Sequence, residues 1–402
     1  GTQSTQRHRA GLRTSFAGQE KIMKPLEGLL VLDFSQFLAG PSAAMRLADL
    51  GTRVIKIERP GTGDICRQLY ITNLKLDGDS TLFHSINRNK QSFAADLKNP
   101  EHLAQVKKLI ARADVLIQNF RPGVMERLGL GYEDVIKLNS KIVYGIVTGY
   151  GASGPWADLP GQDLLAQSRS GLVWLSGDAD RPPTPMGLSV CDLAASAHLV
   201  QGILACLLRR GITGKGGKVE VSLLESILDF QFELTSTFLN DGGKLPQRST
   251  INNGNAYLGA PYGIFATADG FLALAMGSVI KLAELLELSA LAAYTDPETW
   301  FTARDEIKAL IREHLKTQPT SHWLERLEAA DYWCAEVLNW RQLFEHQAFR
   351  QLDWVMEIQR EDGPSMKTTR CPITIDGERF TPRLGAPRIG QHTDNITKEF
   401  DL

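Results

Sequence analysis

Two aspartates stand where a carboxylate could do more than solvate a surface. Asp192 lies in Met186-GLSVCDLAA-Ser196, just before a long apolar stretch, and Asp163 lies in Leu159-PGQDLLAQSRS-Gly171, a loop leading into apolar sequence. Aspartate is a good helix N-cap, and either residue could be no more than that. The small apolar neighbours of Asp192 offer a second reading. Burial raises a carboxyl group's pKa and strips its solvation, which suits covalent or proton-transfer work. Cys191 could be a thiol nucleophile, although a buried small hydrophobe is the plainer interpretation. No Ser-centred GxSxG elbow and no HExxH occurs, and His84, His102, His198, His346 and His392 show no metal spacing.

Positive charge gathers beside loops. Arg59 follows Ile57-Glu58, Arg121 follows Asn119-Phe120 with Arg127 one turn on, and Asn87-Arg-Asn-Lys90 and Lys98 add more. Any one of these could be a solvated surface charge. Together, at strand ends, they suit the phosphates of an anionic ligand, because guanidinium groups bind phosphate in a fork. The loop Phe34-SQFLAG-Pro41, between a strand and a helix, is a usual place for such a group, yet it has no GxGxxG. Gly211 to Gly217 is not a Walker loop either, since no serine or threonine follows Lys215.

The elements that must position these residues alternate. Leu29–Phe34, Thr52–Arg59, Asp114–Phe120, Lys141–Thr148 and Val219–Val221 read as strands, the first as a short apolar run covered on both faces. Between them Ser42–Leu50, Glu101–Ala111, Tyr132–Asn139 and Leu193–Arg210 read as helices, and Leu223–Leu239 as one more. Strand, helix and strand in that order imply right-handed parallel crossovers and an open α/β domain of Rossmann type. From about Asn240 the character changes. A hairpin about Ala268-Asp-Gly270 and helices at Arg304–Leu315 and His322–Ala329 suggest a smaller α+β domain. Helix signals return near Leu343–Arg350, followed by proline- and glycine-rich sequence from Pro364 to Gly390.

Composition narrows the class. The chain has 402 residues, 43% of them hydrophobic, and a formal net charge of −2, so no global positive field draws nucleic acid or an anionic membrane. Five cysteines without paired spacing imply reduced thiols and a cytoplasmic setting. No apolar run is expected to reach bilayer-spanning length. Residues 1–24 are expected to be a flexible extension: an expression remnant, an over-long gene start or a weak organellar leader.

Taken together, Pro25-LEGLLVLDFS, Ala39-GP, Leu50-GTRVIKIERPGTGD, Asn87-RNKQSFAADLK, Ala113-DVLIQNFRPGVMERLGLGYE, Gly149-YGASGPWADLPGQD, Gly187-LSVCD and Gly385-APRIGQHT resemble the family III CoA-transferases, also called the CaiB/BaiF family. The resemblance runs from Pro25 nearly to Leu402. It implies an interlocked homodimer, each chain having a large CoA-binding α/β domain from residues 25–225 and about 345–402. A small domain would span about 240–330, with linkers at 226–239 and 331–344. It implies Asp192 as nucleophile, with Asp163 and Gln162 beside it, and CoA contacts from Phe37, Leu38, Ala39, Arg59, Lys98, Asn119, Phe120 and Arg127. The substrate would be a CoA thioester and a free carboxylic acid, with no tightly bound cofactor, metal, nucleic acid or membrane. An oxyanion donor is expected in the loop between Gly254 and Gly259.

Departures from the family pattern narrow these expectations. The racemase branch has a histidine where this chain has Gln162, and two-base proton exchange needs an acid and a base on opposite faces. The formyl-CoA:oxalate branch has a glutamine where this chain has Leu38, and a glycine run absent from Asn252-NGNAYLGA. Oxalate is therefore not the expected acceptor, and a small dicarboxylate paired with succinyl-CoA is. A 2-methylacyl-CoA racemase or a non-catalytic acyl-CoA-binding protein are the alternatives.

Overall fold

The computed structural model describes residues 23–69 and 74–402, so the expected extension at 1–24 lies almost wholly outside the described residues. Six strands form one all-parallel sheet. In spatial order they are Lys90–Ala94, Arg53–Glu58, Leu30–Asp33, Val115–Gln118, Val143–Thr148 and Gly217–Ser222. Its central strands are buried on both faces, which is why they read as unbroken apolar runs. One core packs Val31, Val115 and Val143 against Ala43, Leu47, Leu199 and Ile203. The other packs Leu32, Ile55 and Leu116 against Val106, Leu109, Ile396 and Phe400. The C-terminal helix Thr393–Phe400 thus lies on the large sheet, and Ser92 and His392 hydrogen-bond across it.

Strand order reverses at Leu30–Asp33, whose two neighbours are the next strand on one side and Val115–Gln118 on the other. In such sheets the ligand crevice opens between the loops leaving the carboxyl ends of those two strands. Here those are the Phe34–Leu38 loop and the Asn119–Gly123 loop.

Several elements differ from expectation. The Asn87-RNK segment does not end in solvent but enters an edge strand, Lys90–Ala94. The expected Leu223–Leu239 helix is two, Leu223–Asp229 and Phe232–Asn240, because Gln231 turns inward and donates its side-chain amide to the Ile227 and Ser170 carbonyls. The long helix runs Val190–Thr213, 24 residues, and by length and composition alone could cross a membrane, against the expectation of no such run. One face of it buries Cys191, Ala195, Leu199 and Ile203 under the sheet, while Leu208 and Ile212 near its end are exposed. Residues 355–369 form an antiparallel ladder, Val355–Gln359 with Ser365–Thr369, whose alternating burial is a strand signature. A separate cluster around Phe265, Leu272, Leu282, Ile307 and Trp323 surrounds a three-stranded sheet of Gly263–Ala266, Phe271–Leu274 and Cys334–Glu336.

Candidate active site

The crevice is lined first by a strained backbone turn. Phe37 has φ of +64°, a left-handed conformation that side chains other than glycine avoid. Gly40 then lies so close to Ser35 that a Cβ would meet the serine Cβ at 2.3 Å. The helix Ala39–Asp49 follows directly, with Leu38 at the N-cap position, whose side chain caps none of its first amides. A helix leaves its first N–H groups unpartnered, with partial positive charge. The Ala39 amide faces the carboxylate of Asp192 and favours its ionised form.

Asp192 arrives from a second helix N-terminus. It sits in the first turn of Val190–Thr213, where Ser189 rather than the aspartate takes the N-cap position, so the simple capping role does not apply. Asp163 is the helix-holding carboxylate instead, and it acts from another element. One oxygen accepts the Cys191 N–H at 2.7 Å, and the other accepts the Gln167 side-chain amide at 2.7 Å. Gln167 also accepts the Met186 N–H at 3.0 Å, which fixes the segment entering the Asp192 helix. The loop carrying Asp163 is held by Gly161, whose Cα packs on Gly149 so tightly that a Cβ would meet the opposite Cα at 2.4 Å.

These environments separate the two acids. Asp163 accepts from two donors, whereas Asp192 faces the Ala39 amide. Burial and the negative charge of Asp163 push the Asp192 carboxyl up to about 7, although the Ala39 amide pulls it down. Its anion is thus weakly solvated and reactive near neutrality. Burial, Asp163 and Asp192 together push the Cys191 thiol up to about 12, which makes it a poor nucleophile.

Gln162 lies exposed at the N-cap of Asp163–Arg169 and accepts the Leu164 N–H at 3.0 Å. Arg59, Lys98 and Arg127 are exposed past the carboxyl ends of their strands, on the same side of the sheet as the Phe37–Ala39 turn. Asn119 is engaged with protein: its side-chain amide exchanges two hydrogen bonds with the Gln36 backbone, at 2.8 and 2.7 Å, and ties the two crevice loops together. Phe120 borders a cavity of about 330 Å³ with Arg121, Tyr132, Thr148 and Lys218. Arg88 and Lys90, by contrast, are buried against Asp49 and Asp33 and do not face a ligand. The loop from Gly254 to Gly259 packs on Tyr262 and the Trp300 backbone, and Ala256 accepts a bond from Arg304. Sequence reasoning missed Gln167 and the Gly149–Gly161 contact. The first had a signal, an amide four residues after Asp163 on a helix.

Among the described residues no group of three or more His, Cys, Asp or Glu could hold a metal. Residues 26–393 match the model of CoA-transferase family III. The succinyl-CoA:glutarate CoA-transferase of Mus musculus is 33% identical over 383 residues, covering 94% of this chain and 86% of that protein. The acetyl-CoA:oxalate CoA-transferase of Acetobacter aceti is 36% identical over 385 residues, covering 94% and 96%. A CaiB/BaiF family protein from Brucella suis superposes with a TM-score of 0.82 at 28% identity, over 94% of this chain and all of that one. The carboxylate at two helix N-termini, the nucleotide-type crevice and a match over nearly the whole sequence lead to one conclusion: this chain is a CoA-transferase and belongs to family III.

Proposed function

We propose that the enzyme moves CoA from an acyl-CoA donor to a free carboxylic acid through a covalent intermediate on Asp192. The observation that carries this reading is the Asp192 carboxyl, raised to about 7 by burial and Asp163 and facing the Ala39 amide where two helices begin. The carboxylate attacks the donor thioester carbonyl, giving a mixed anhydride and CoA thiolate. The thiolate then attacks the aspartyl carbonyl, forming an aspartyl-CoA thioester and releasing the donor acid. The acceptor carboxylate runs the same two steps in reverse, and the bonds made and broken match. Ala39 N–H is placed to stabilise the oxyanion that develops on the Asp192 carbonyl. The residues proposed for CoA are the Phe37–Ala39 backbone, Arg59, Lys98, Phe120 and Arg127, with Asn119 setting the loop. Gln162 has no titrating proton and caps a helix, which favours transfer over two-base racemisation.

Succinyl-CoA as donor and a small dicarboxylate as acceptor are the proposed pair, supported by the name of the mouse relative. The Acetobacter relative acts on oxalate by its name, so oxalate belongs in the test despite Leu38. Incubation with succinyl-CoA and a panel of mono- and dicarboxylic acids, read by mass spectrometry, should give new thioesters mainly with dicarboxylates. Transfer only to monocarboxylates would overturn the substrate pair. An interlocked homodimer and a cytoplasmic setting complete the reading, the last supported by the free state of all five cysteines. The domain division is that given above, except that Cys334–Glu336 belongs to the small sheet and not to a linker.

A further inference from the structure

Directly behind the Ser35–Pro41 turn lie four buried charges that do not reach the crevice. Lys90, 0% exposed, donates to Asp33, to the Pro41 carbonyl and to the Asn87 side chain, each at 2.8 Å. Lys56, 1% exposed, donates to the Ser35 carbonyl at 2.7 Å, pairs with Asp64 at 2.9 Å and stands 3.8 Å from Asp33. The carboxylates finish the grip. Asp33 accepts the Ser35 N–H at 3.0 Å and Asp64 accepts the Phe37 N–H at 3.2 Å. The turn is thus held at Ser35, Phe37 and Pro41 by ions, with Asn119 holding Gln36 from the other side.

Buried ion pairs are a poor way to gain stability, because desolvation offsets most of the attraction. They do fix geometry, and geometry is what this turn needs. A left-handed Phe37 is strained and persists only where its surroundings over-determine it. We propose that the Asp33–Lys90 and Lys56–Asp64 pairs are positioning residues for CoA transfer, clamping the Ser35–Pro41 backbone from beneath so that the Ala39 N–H stays aimed at Asp192. The inference rests on Asp192 being the nucleophile. Neither lysine touches substrate, and both act through the Ala39 amide. The groups facing the Asp192 carboxyl are then that amide and the Asp163 carboxylate, with the Cys191 thiol on the same helix turn.

The test is a charge-balanced removal of each pair in the full chain, Asp33→Asn with Lys90→Met, and separately Lys56→Met with Asp64→Asn. Melting temperature, kcat, KM for the acyl-CoA and the acid limb of the kcat–pH profile are read for each. The expected result is a folded enzyme with kcat lowered about 100-fold, as for an ångström-scale misplacement. Its acid limb moves to higher pH, because the Asp192 anion has lost its donor. A folded variant with wild-type kcat and an unmoved acid limb overturns the proposal, including when its melting temperature falls. If one pair does not fold, the other decides. If neither folds, Asp33→Asn alone, which keeps one acceptor oxygen for Ser35 and both lysines while removing the charge, is judged by the same two readouts. Asp192→Asn is run in parallel. Turnover by that variant sinks the nucleophile reading itself, whereas a dead Asp192→Asn beside fully active clamp variants sinks only the positioning role.

Discussion

At the scale of single residues, the site is two carboxylates with different work. Asp163 spends both oxygens on the Cys191 and Gln167 donors, and its charge is a leading reason, after burial, that Asp192 titrates near neutrality. Asp163→Asn keeps an acceptor for the Cys191 N–H but removes the charge. The Asp192 pKa then falls, its anion persists to lower pH, and the acid limb of kcat/KM shifts below about 7. A pH–rate profile checks this, and an unmoved or raised limb contradicts it. The small apolar neighbours of Asp192 suggest its burial, and the family resemblance, not the local sequence, singles it out as the proposed nucleophile. The task of Asp163 was not legible, because the bond that defines it crosses 28 positions to a backbone amide and leaves no trace in local sequence.

At the scale of elements, two glycines decide whether the Asp163 loop reaches its place. Gly161 and Gly149 touch at their Cα atoms, so a methyl on either forces the loop off the strand end. Gly161→Ala should cost about 1–3 kcal/mol from overpacking. It should also lower kcat by at least about tenfold, through displacement of Asp163 from the Cys191 amide. Chemical denaturation and steady-state kinetics measure the two effects, and wild-type kcat in the folded variant would contradict the account. The strands Leu30–Asp33 and Val115–Gln118 are readable because burial on both faces makes them uniformly apolar. Lys90–Ala94 is not, since its first residue is a lysine neutralised by Asp33, a partner 57 positions away. Charge in sequence reads as surface, and only the fold reveals that it is paired inside.

At the scale of the whole molecule, the α/β frame with a second α+β core follows from alternating periods in the sequence. The surface left by a single chain does not. Trp340, Ile212, Leu208 and Leu239 are 83%, 89%, 75% and 74% exposed, and the helix Phe232–Asn240 buries no residue. Apolar side chains on this scale favour a protein partner. Under the interlocked-dimer reading, sedimentation should give about twice the 44.4 kDa chain mass, and dilution into the nanomolar range should not release monomer without unfolding. A fully active monomer would refute that reading. Sequence patterning could not supply this, because a helix face that meets a partner copy has the same apolar spacing as one that meets its own core.

The measurement closest to the central claim is covalent trapping. The enzyme is incubated with succinyl-CoA, quenched with hydroxylamine, digested, and its peptides are sequenced by mass spectrometry. An activated aspartyl carbonyl predicts a hydroxamate at Asp192, formed only when acyl-CoA is present and lost in Asp192→Asn together with turnover. A hydroxamate at another residue, or undiminished transfer by Asp192→Asn, would contradict the account.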